Sequence, residues 1–482
     1  MNSVTRMILL AVTGFCGATG YAQDSTRPAA GQTYNLQQCV AIALKNNATI
    51  KTSQFTMESD KAVYQQAIGN MLPFASASVY HQEYNGRSLN PYNYTYANQE
   101  QTTASYSLGA NVMLWNGFSL QRFLRQTREA YKAGEMDLQN AKDMAAIQVI
   151  LDYLSVLSDQ ELLNLAKAQA DATREQVRVD SVKDVEGSIA PGDYYTLKGQ
   201  LGSNDVAVTT AKNTLEVAKV TLSKDMNIEY SSSITLEPVS DTSILEPYGS
   251  SVDDIYSYAL HNLPVVKSAD LKEQSAVNGV IGARGNLLPS IYLTGGAGTN
   301  YSNLATAEEY LSTSQVNTGQ YVTIAGSQIP VFAPEDNYNT KNLGYGNQIK
   351  NNINYYIGLQ LSIPILNGFS ARTKLRQAKI NEEQASFNKT TTRIQLRQAI
   401  ETDYVNMNAA YESYKTYRVQ VDDYNRSFNA ASAKLDAGTI SAFDFVIAKN
   451  NLDQASLNLI GSKYNYIFQT KILDYYLGRL SF

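Results

Sequence analysis

The feature that most constrains the fold is an internal repeat. The stretch "WNGFSLQRFLRQ" (115–126) returns as "LNGFSARTKLRQ" (366–377), and each matching residue lies 251 residues from its counterpart. "GSIAPGD" (187–193) and "GTISAFD" (438–444) are separated by the same distance. Self-similarity at a fixed separation indicates a structural unit that occurs more than once. The chain is therefore expected to contain two copies of one unit.

Two earlier matches are closer together. They lie 216 residues apart and pair "ALKNN" (43–47) with "ALHNL" (259–263), and Leu72-Pro73 with Leu288-Pro289. The separation then grows from 216 to 251, so the second copy holds 35 additional residues within 302–350. A segment that varies this freely between copies predicts a long loop exposed at a tip. The first repeat is assigned to 23–226, the linker to 227–251 and the second repeat to 252–482.

Each copy is predicted to begin with a helix and continue as two strands. The helical segments, 36–71 and 252–287, end at the Leu-Pro pairs, because proline suits the change from helix to extended chain. Apolar residues alternate with others in 106–114 and 357–365, and this period of two indicates strands. Less regular strands are expected before them, near 74–84 and 290–301.

Two helices of unusual length are expected to follow the strands. Residues 371–437 contain neither Gly nor Pro. Residues 118–186 contain no Pro and a single glycine, Gly134. At 1.5 Å per residue such a helix is about 100 Å long. Apolar and tyrosine residues spaced by four and three resemble a coiled-coil seam: Ile400, Tyr404, Met407, Tyr411 and Tyr414. Return helices are predicted over 193–226 and 444–477.

Two kinds of turn join these elements. The Asn116-Gly117 and Asn367-Gly368 pairs precede helix-forming sequence, so they are interpreted as strand-to-helix turns and not as hairpins. Gly187 and Gly438 follow the long helices, where glycine lets the chain reverse with a positive φ. The adjacent Ser188 and Thr439 are expected to cap the return helices.

The N-terminus is predicted to be an export signal. Arg6, the apolar "MILLAVTGFCGA" and the small-residue site "GYA" define a signal peptide over 1–22. Phe15 precedes Cys16, which does not fit the Leu-Ala-Gly-Cys context of a lipid anchor. Cys39 is then the only cysteine of the mature chain, so no intramolecular disulfide forms, and a buried, inert thiol is expected.

Composition and charge narrow the class of protein. The 44 acidic and 39 basic residues give a net charge of −5, which provides no reason to expect nucleic acid as a partner. The 34 tyrosines suit membrane–water boundaries. No apolar run after the signal approaches 20 residues, so a membrane crossing would use strands.

Four strands are too few to close a barrel. An open sheet edge in a bilayer leaves backbone groups unpaired, at a cost of several kcal/mol each. Two chains would supply eight strands, with side chains filling the interior, and three chains would supply twelve, with room for a lumen. The long helices favour a tube and therefore the larger assembly.

The order of these motifs resembles the TolC-like outer membrane efflux proteins (outer membrane factors). "SIPILNGFS" resembles the family's Pro-x-Phe-Asn/Asp-Gly-Gly turn, and "LDAGTISAFDFVIAKNNLDQA" resembles its helical tip. The resemblance extends from about residue 34 to residue 478. It implies a mixed α/β membrane channel: a homotrimer with a 12-stranded outer-membrane β-barrel continuous with a long periplasmic α-helical barrel. The linker 227–251 and the C-terminal segment would form the equatorial region, and 302–350 would be extracellular.

The resemblance also implies a function and partners. The chain would be the outer-membrane exit duct of a tripartite efflux or type I secretion system in a Gram-negative bacterium. Its partners would be two further copies of itself, a periplasmic membrane-fusion adaptor protein, an RND-type or ABC-type inner-membrane pump, and outer-membrane lipid. No cofactor is implied.

Two sets of site residues are carried over from the family by position. The first is the periplasmic tip that would contact the adaptor: Gly187, Ser188, Ile189, Ala190, Pro191, Gly438, Thr439, Ile440, Ser441 and Phe443. The second is the periplasmic constriction: Asp193, Leu435, Asp444 and Ile447. The family's tyrosine and arginine partner positions hold Leu435 and Ile440, and a further aspartate position holds Ile447. These apolar residues favour a constriction closed by packing, in which three Asp444 carboxylates would prefer cations.

The sequence offers little material for an enzyme. His81 and His261 are isolated, and the glycines of 295–298 lie within a strand pattern and do not open a helix. No catalytic or metal site is therefore predicted. The alternative function is a structural or adhesive surface stalk. A stalk would explain the long helices and the exposed loop, but it would not explain two strand pairs at matching places in a duplicated chain.

Overall fold

The structure is a computed structural model that describes residues 33–89, 94–238 and 246–479. The predicted signal peptide and Cys16 lie outside the described residues, as do 239–245 of the linker and the last three residues of the second repeat. The described residues form two compact units. The helical unit comprises those within Met1–Ser59, Lys132–Leu271 and Phe387–Phe482, and the sheet unit comprises those within Asp60–Tyr131 and Lys272–Ser386.

The helices occur in two series of equal lengths. In the first half of the chain they are α1 (Leu36–Asn46), α2 (Ala48–Gly69), α3 (Ser119–Val185) and α4 (Pro191–Asp225), with 11, 22, 67 and 35 residues. In the second half they are α5 (Val252–Asn262), α6 (Pro264–Gly285), α8 (Ser370–Asp436) and α9 (Ala442–Tyr476), again with 11, 22, 67 and 35 residues. The short α7 (Tyr345–Asn351) belongs to the second half alone. The long helices and the return helices were thus correctly predicted.

The strands form one principal sheet of four strands and two sheets of two strands each. The principal sheet is antiparallel and contains β2 (Phe74–Leu89), β3 (Tyr96–Trp115), β5 (Ser290–Ser302) and β8 (Asn354–Ser362), in that order. In the helical unit, β1 (Thr33–Tyr34) pairs in parallel with β4 (Thr235–Leu236). Within the described parts of the chain, β2 and β8 each pair on one side only.

The single helix predicted at the start of each copy is wrong. Each is two helices, interrupted at Asn47 in the first copy and at Leu263 in the second. Leu263 precedes Pro264, and the residue before a proline avoids the helical region; its φ and ψ are −65° and 135°. Asn47 has an extended ψ of 131°, and its Oδ1 accepts a hydrogen bond from Thr49 N–H at 2.9 Å, which begins α2.

The strand predicted over 357–365 ends earlier than expected. It ends at Ser362, so Ile363, Pro364 and Ile365 lie beyond it. Proline has no N–H to donate to a ladder and is disfavoured inside a sheet. The alternating pattern therefore continued past the point at which pairing stops.

The prediction of a loop over 302–350 is also wrong. Strands β6 (Thr306–Ile324) and β7 (Ser327–Asn342) form an antiparallel hairpin, and α7 follows it. The buried Gln348 amide attaches α7 to the end of β5: Ser302 N–H donates to Gln348 Oε1 at 2.9 Å, and Gln348 Nε2 donates to Ser302 O at 2.8 Å. The insertion is exposed as expected, but its backbone is hydrogen-bonded.

Two apolar clusters stabilise the helical unit around the middle of α3 and α8. The first includes the buried Cys39, Ile150 and Tyr153. Burial raises the pKa of the Cys39 thiol to about 12, which agrees with the predicted inert cysteine. The second cluster contains Ile400 and Met407 of the predicted seam, and Tyr404 and Tyr411 pack against it. Tyr414 of the same seam is also buried. The apolar spacing therefore predicted correctly which face of α8 is buried.

Candidate functional site

The two helix–helix tips have the same backbone geometry where the long helices end. Gly187 and Gly438 have φ values of +69° and +66°. Gly187 N–H donates to Asp184 O at 3.0 Å and Ser188 N–H to Lys183 O at 2.8 Å. The second tip repeats this pair of bonds, from Gly438 to Leu435 and from Thr439 to Lys434, at 3.0 and 2.9 Å. This pattern is a Schellman motif, which ends a helix and satisfies its last carbonyls.

The expected capping by Ser188 and Thr439 is not seen. The return helices begin two residues later, so their N-cap residues are Ala190 and Ser441. The Thr439 hydroxyl instead donates back to Lys434 O at 3.0 Å. Ser441 Oγ accepts a hydrogen bond from Asp444 N–H at 3.2 Å. The methyl group of Ala190 cannot accept such a bond, and Pro191 follows it at the first helical position.

One hydrogen bond joins the two tips. Ala442 N–H, in the first turn of α9, donates to the Asp193 carboxylate at 3.2 Å. The first N–H groups of a helix have no partner within the helix, and a carboxylate there is favoured by the helix dipole. Asp193 of the first repeat thus satisfies a backbone group of the second. The sequence contains no local signal for this contact, because the two residues are 249 positions apart.

An apolar cluster lies behind the tips. It is formed by the buried Leu197, Ala442, Phe445 and Val446, with Leu435 and Ile440 partly buried against them. Two of the residues assigned to the constriction or the tip therefore pack within the chain. Asp444, Phe443 and Ile447 remain exposed, the last two at 62% and 45%. Of the first tip, Gly187, Ser188, Ala190 and Pro191 are exposed and Ile189 is half-buried.

The two Asn-Gly pairs lie before the long helices and share a turn. Ser119 N–H donates to Asn116 O at 3.2 Å, and Ser370 N–H donates to Asn367 O at 3.1 Å. Gly117 and Gly368 have φ values of +64° and +58°. Glycine adopts such φ values without the strain that a side chain would add.

The surroundings of these two turns differ. A Cβ at Gly117 would lie 2.6 Å from Gly285 O and 2.9 Å from Leu288 Cβ, so only glycine permits this contact. We call the packing of Gly117 on Gly285 and Leu288 the turn joint. At Gly368, the counterpart of Gly117, a Cβ would meet nothing within 4 Å among the described residues.

The described ranges contain neither a metal cluster nor a candidate membrane-spanning helix. No group of three or more His, Cys, Asp or Glu residues there is arranged to hold a metal ion. Over the same residues, no helix has both the length and the hydropathy that a membrane-spanning helix needs.

Comparison with solved structures identifies the fold. The outer membrane channel CmeC of Campylobacter jejuni superposes with a TM-score of 0.74 at 19% identity, covering 95% of this chain and 90% of that one. The open-state outer membrane channel MtrE of Neisseria gonorrhoeae gives a TM-score of 0.69 at 15% identity, covering 92% and 88%. The fold is therefore that of outer membrane factor channels.

Sequence comparison agrees with the fold. The family model described as outer membrane efflux protein matches residues 335–479. The chain is 22% identical to the outer membrane protein TolC of Escherichia coli (strain K12) over 457 residues, which cover 93% of this chain and 83% of TolC. It is 22% identical to the outer membrane efflux protein BepC of Brucella suis biovar 1 (strain 1330), over 80% of this chain and 75% of BepC. These findings confirm the predicted resemblance to the TolC-like outer membrane efflux proteins.

Proposed function

We propose that this protein is an outer-membrane exit duct of a tripartite efflux or type I secretion system. Relatives named for the outer membrane and for efflux support this proposal, as does the channel fold that this chain shares with CmeC and MtrE. The helical unit would stand in the periplasm of a Gram-negative bacterium. It would receive substrates from a membrane-fusion adaptor and an RND-type or ABC-type pump. The stalk hypothesis is not favoured by these comparisons.

The observation that carries the assembly is the turn joint. Its residues have counterparts at the separations found in the sequence: Gly368 for Gly117, and Gly69 and Leu72 for Gly285 and Leu288. A Cβ at Gly69 or at Gly368 would meet nothing within 4 Å among the described residues, and Leu72 is 63% exposed. The chain thus forms the turn joint once. It also carries the residues for the two halves of a second such joint, Gly69 and Leu72 on one side and Gly368 on the other, and these residues are open or exposed in the single chain. A second copy of the chain would bring these halves together.

The principal sheet supports the same assembly. The edge strands β2 and β8 each have one unpaired side in the described part of the chain, and in a bilayer such edges must be closed. Head-to-tail pairing of β8 with β2 of the next copy would close the sheet and align the unused halves of the joint. Three copies would give a homotrimer with a 12-stranded barrel, in contact with outer-membrane lipid, and an α-helical barrel. The equal helix lengths of the two halves support the internal duplication on which this arrangement depends.

The remaining assignments follow from this orientation. The tips at Gly187–Pro191 and at Gly438, Thr439, Ser441 and Phe443 would contact the adaptor. Asp193 and Asp444, with Ile447, would line the periplasmic constriction, and Leu435 and Ile440 would support it from behind. The segment 227–251 would lie in the equatorial region, and the hairpin and α7 within 302–350 would be extracellular.

Ion conductance tests the duct directly. Purified protein added to a planar lipid bilayer should give discrete conductance steps. A stalk protein would leave the bilayer silent although it is folded. Replacing the exposed Phe443 with Ala should weaken capture of the adaptor without lowering thermal stability, whereas Phe445→Ala, which removes a buried ring, should lower stability.

A further inference from the structure

The two repeats place a polar pair at the same point between the long helix and the return helix. In the second repeat the pair is Asp403 on α8 and Tyr476, the last residue of α9. The residues 251 positions earlier are Asp152 on α3 and Asp225, the last residue of α4. A carboxyl–phenol pair in one repeat therefore corresponds to a carboxyl–carboxyl pair in the other.

The pair in the second repeat carries a permanent proton. The Tyr476 hydroxyl donates to Asp403 Oδ2 at 3.1 Å. Burial, and then the Asp403 carboxylate, raise the pKa of the Tyr476 phenol above its ordinary value of about 10. Burial also raises the pKa of Asp403, and the bond from Tyr476 opposes that rise. The phenol thus stays protonated, and remains a hydrogen-bond donor, at neutral pH.

The pair in the first repeat has no such donor. Asp152 is 8% exposed; its Oδ1 accepts from Gln148 Nε2 at 3.0 Å, and its buried Oδ2 has no partner among the described residues. The other carboxyl that faces it is Asp225, and Lys224 is the nearby positive charge that favours ionisation. Two ionised carboxylates cannot hydrogen-bond each other, so among the described residues a proton shared with Asp225 is what would give Asp152 Oδ2 a partner.

We infer that Asp152 and Asp225 form a binding site for one proton, which ties the end of α4 to the middle of α3 and is released as the pH rises. The repeat supplies the geometric argument, because the same two positions are joined by a hydrogen bond in the second half of the chain. Burial, followed by the hydrogen bond with Asp225, raises the pKa of Asp152 to about 7, within the physiological range.

The proton site lies at the end of α4, which is also hydrogen-bonded to the break between α1 and α2. Asn47 Nδ2 donates to Asp225 O at 2.9 Å, and Asn227 Nδ2 donates to Asn46 O at 3.0 Å. The end of α4 is therefore attached both to α3, through the proton, and to the break between α1 and α2. If the proposed function holds, the first helix pair of each subunit loosens at high pH, whereas the second, with its phenol, does not.

The direction of the pH effect on stability follows from the linkage between proton binding and folding. When the end of α4 lies against α3, the pKa of Asp152 is raised from an ordinary value of about 3.9. The stabilisation of this contact by the proton is therefore complete below about pH 3.9. It is lost as the pH rises through about 7. Between these two pH values, separation of the end of α4 from α3, which exposes the Asp152 carboxyl to water, becomes about tenfold more favourable for each pH unit.

Hydrogen exchange of the assembled, full-length protein tests the site. The measured quantity is the protection of the amides in the last turn of α4, corrected for the intrinsic pH dependence of exchange. In the wild-type protein, protection should fall by about tenfold per pH unit between pH 5 and 6.5 and level off above pH 7. The corresponding turn of α9 should show no such slope.

Three variants make the result decisive. Asp152→Asn places a permanent amide donor against Asp225, and Asp225→Tyr reproduces the pair of the second repeat; each should abolish the slope in α4. Asp403→Asn is the matched control and should leave that slope unchanged. A flat wild-type profile, or a slope that survives Asp152→Asn, would overturn the inference. Neither result would affect the exit-duct proposal, which depends on conductance. A silent bilayer with an intact slope would instead remove the duct and leave the proton site.

Discussion

The two halves of the chain agree in length and differ in chemistry. Their four main helices match at 11, 22, 67 and 35 residues. Nevertheless, Gly117 is packed and Gly368 is open, Asp225 corresponds to Tyr476, and Ala190 corresponds to the capping residue Ser441. Helix length fixes the distance between the turns at the two ends of a helix, and both halves keep that distance. The side-chain pairs are free to diverge and can give the halves different stabilities.

The largest difference is expected between the two turn glycines. Gly117→Val combines a β-branched residue at positive φ, at about 1–2 kcal/mol, with overpacking against Gly285 and Leu288, at about 1–3 kcal/mol. Gly368→Val carries only the conformational cost within its own chain. We therefore expect circular dichroism to show a lower yield of folded chain for Gly117→Val. Gly368→Val should fold but fail to assemble in size-exclusion chromatography. Equal folding yields would contradict the crowding at Gly117.

A smaller difference is expected between the aspartates of the tips. Asp193→Ala removes the acceptor of Ala442 N–H and should destabilise the paired tips by about 1–2 kcal/mol. Asp444 is exposed, so Asp444→Ala should cost about 0.5 kcal/mol or less. Hydrogen exchange at the first amides of α9 measures the first effect, with Asp444→Ala as control. Asp444→Ala should also raise bilayer conductance only modestly; a large increase would show that the aspartate ring does most of the gating.

The smallest difference concerns the caps of the return helices. Ser441→Ala should destabilise the start of α9 by about 1 kcal/mol, because it removes the acceptor of Asp444 N–H. Ala190→Ser supplies a cap that α4 lacks and should stabilise it by about 0.5–1 kcal/mol. Thermal unfolding of the two variants should therefore shift in opposite directions. A loss of stability in both would mean that Ala190 is required in its own turn.

The sequence predicts the elements whose signals are local. The long helices follow from two long stretches that lack Pro and contain at most one Gly, and the buried face of α8 follows from the spacing of Ile400, Met407 and Tyr414. The Asn-Gly turns follow from the helix-forming sequence after them. In each case the signal lies within one continuous stretch of sequence.

The features that the sequence did not predict depend on contacts between residues far apart in the chain. Gln348 makes the insertion an ordered hairpin and helix through bonds to Ser302, 46 residues away. Asp193 reaches Ala442, and Asp152 faces Asp225, across similar or larger separations. The break at Asn47 depends on a side chain that bonds both the start of α2 and the end of α4. Only the fold brings such partners together, so no window of sequence contains the signal.

The most direct test of the shared joint is a pair of engineered disulfides. A Cβ at Gly282 would lie 3.4 Å from Arg122 Cβ, close to the separation of a disulfide. The counterparts of these residues are Gln66 and Thr373, both exposed. Cys39 is buried and should not interfere.

Oxidation of the Arg122→Cys/Gly282→Cys variant should leave the chain at its single-chain mass on a non-reducing gel. The Gln66→Cys/Thr373→Cys variant should instead give a ladder that ends at three chains, because the second joint forms between copies. A Gln66→Cys/Thr373→Cys protein that assembles in detergent yet shows no link between chains would contradict the account.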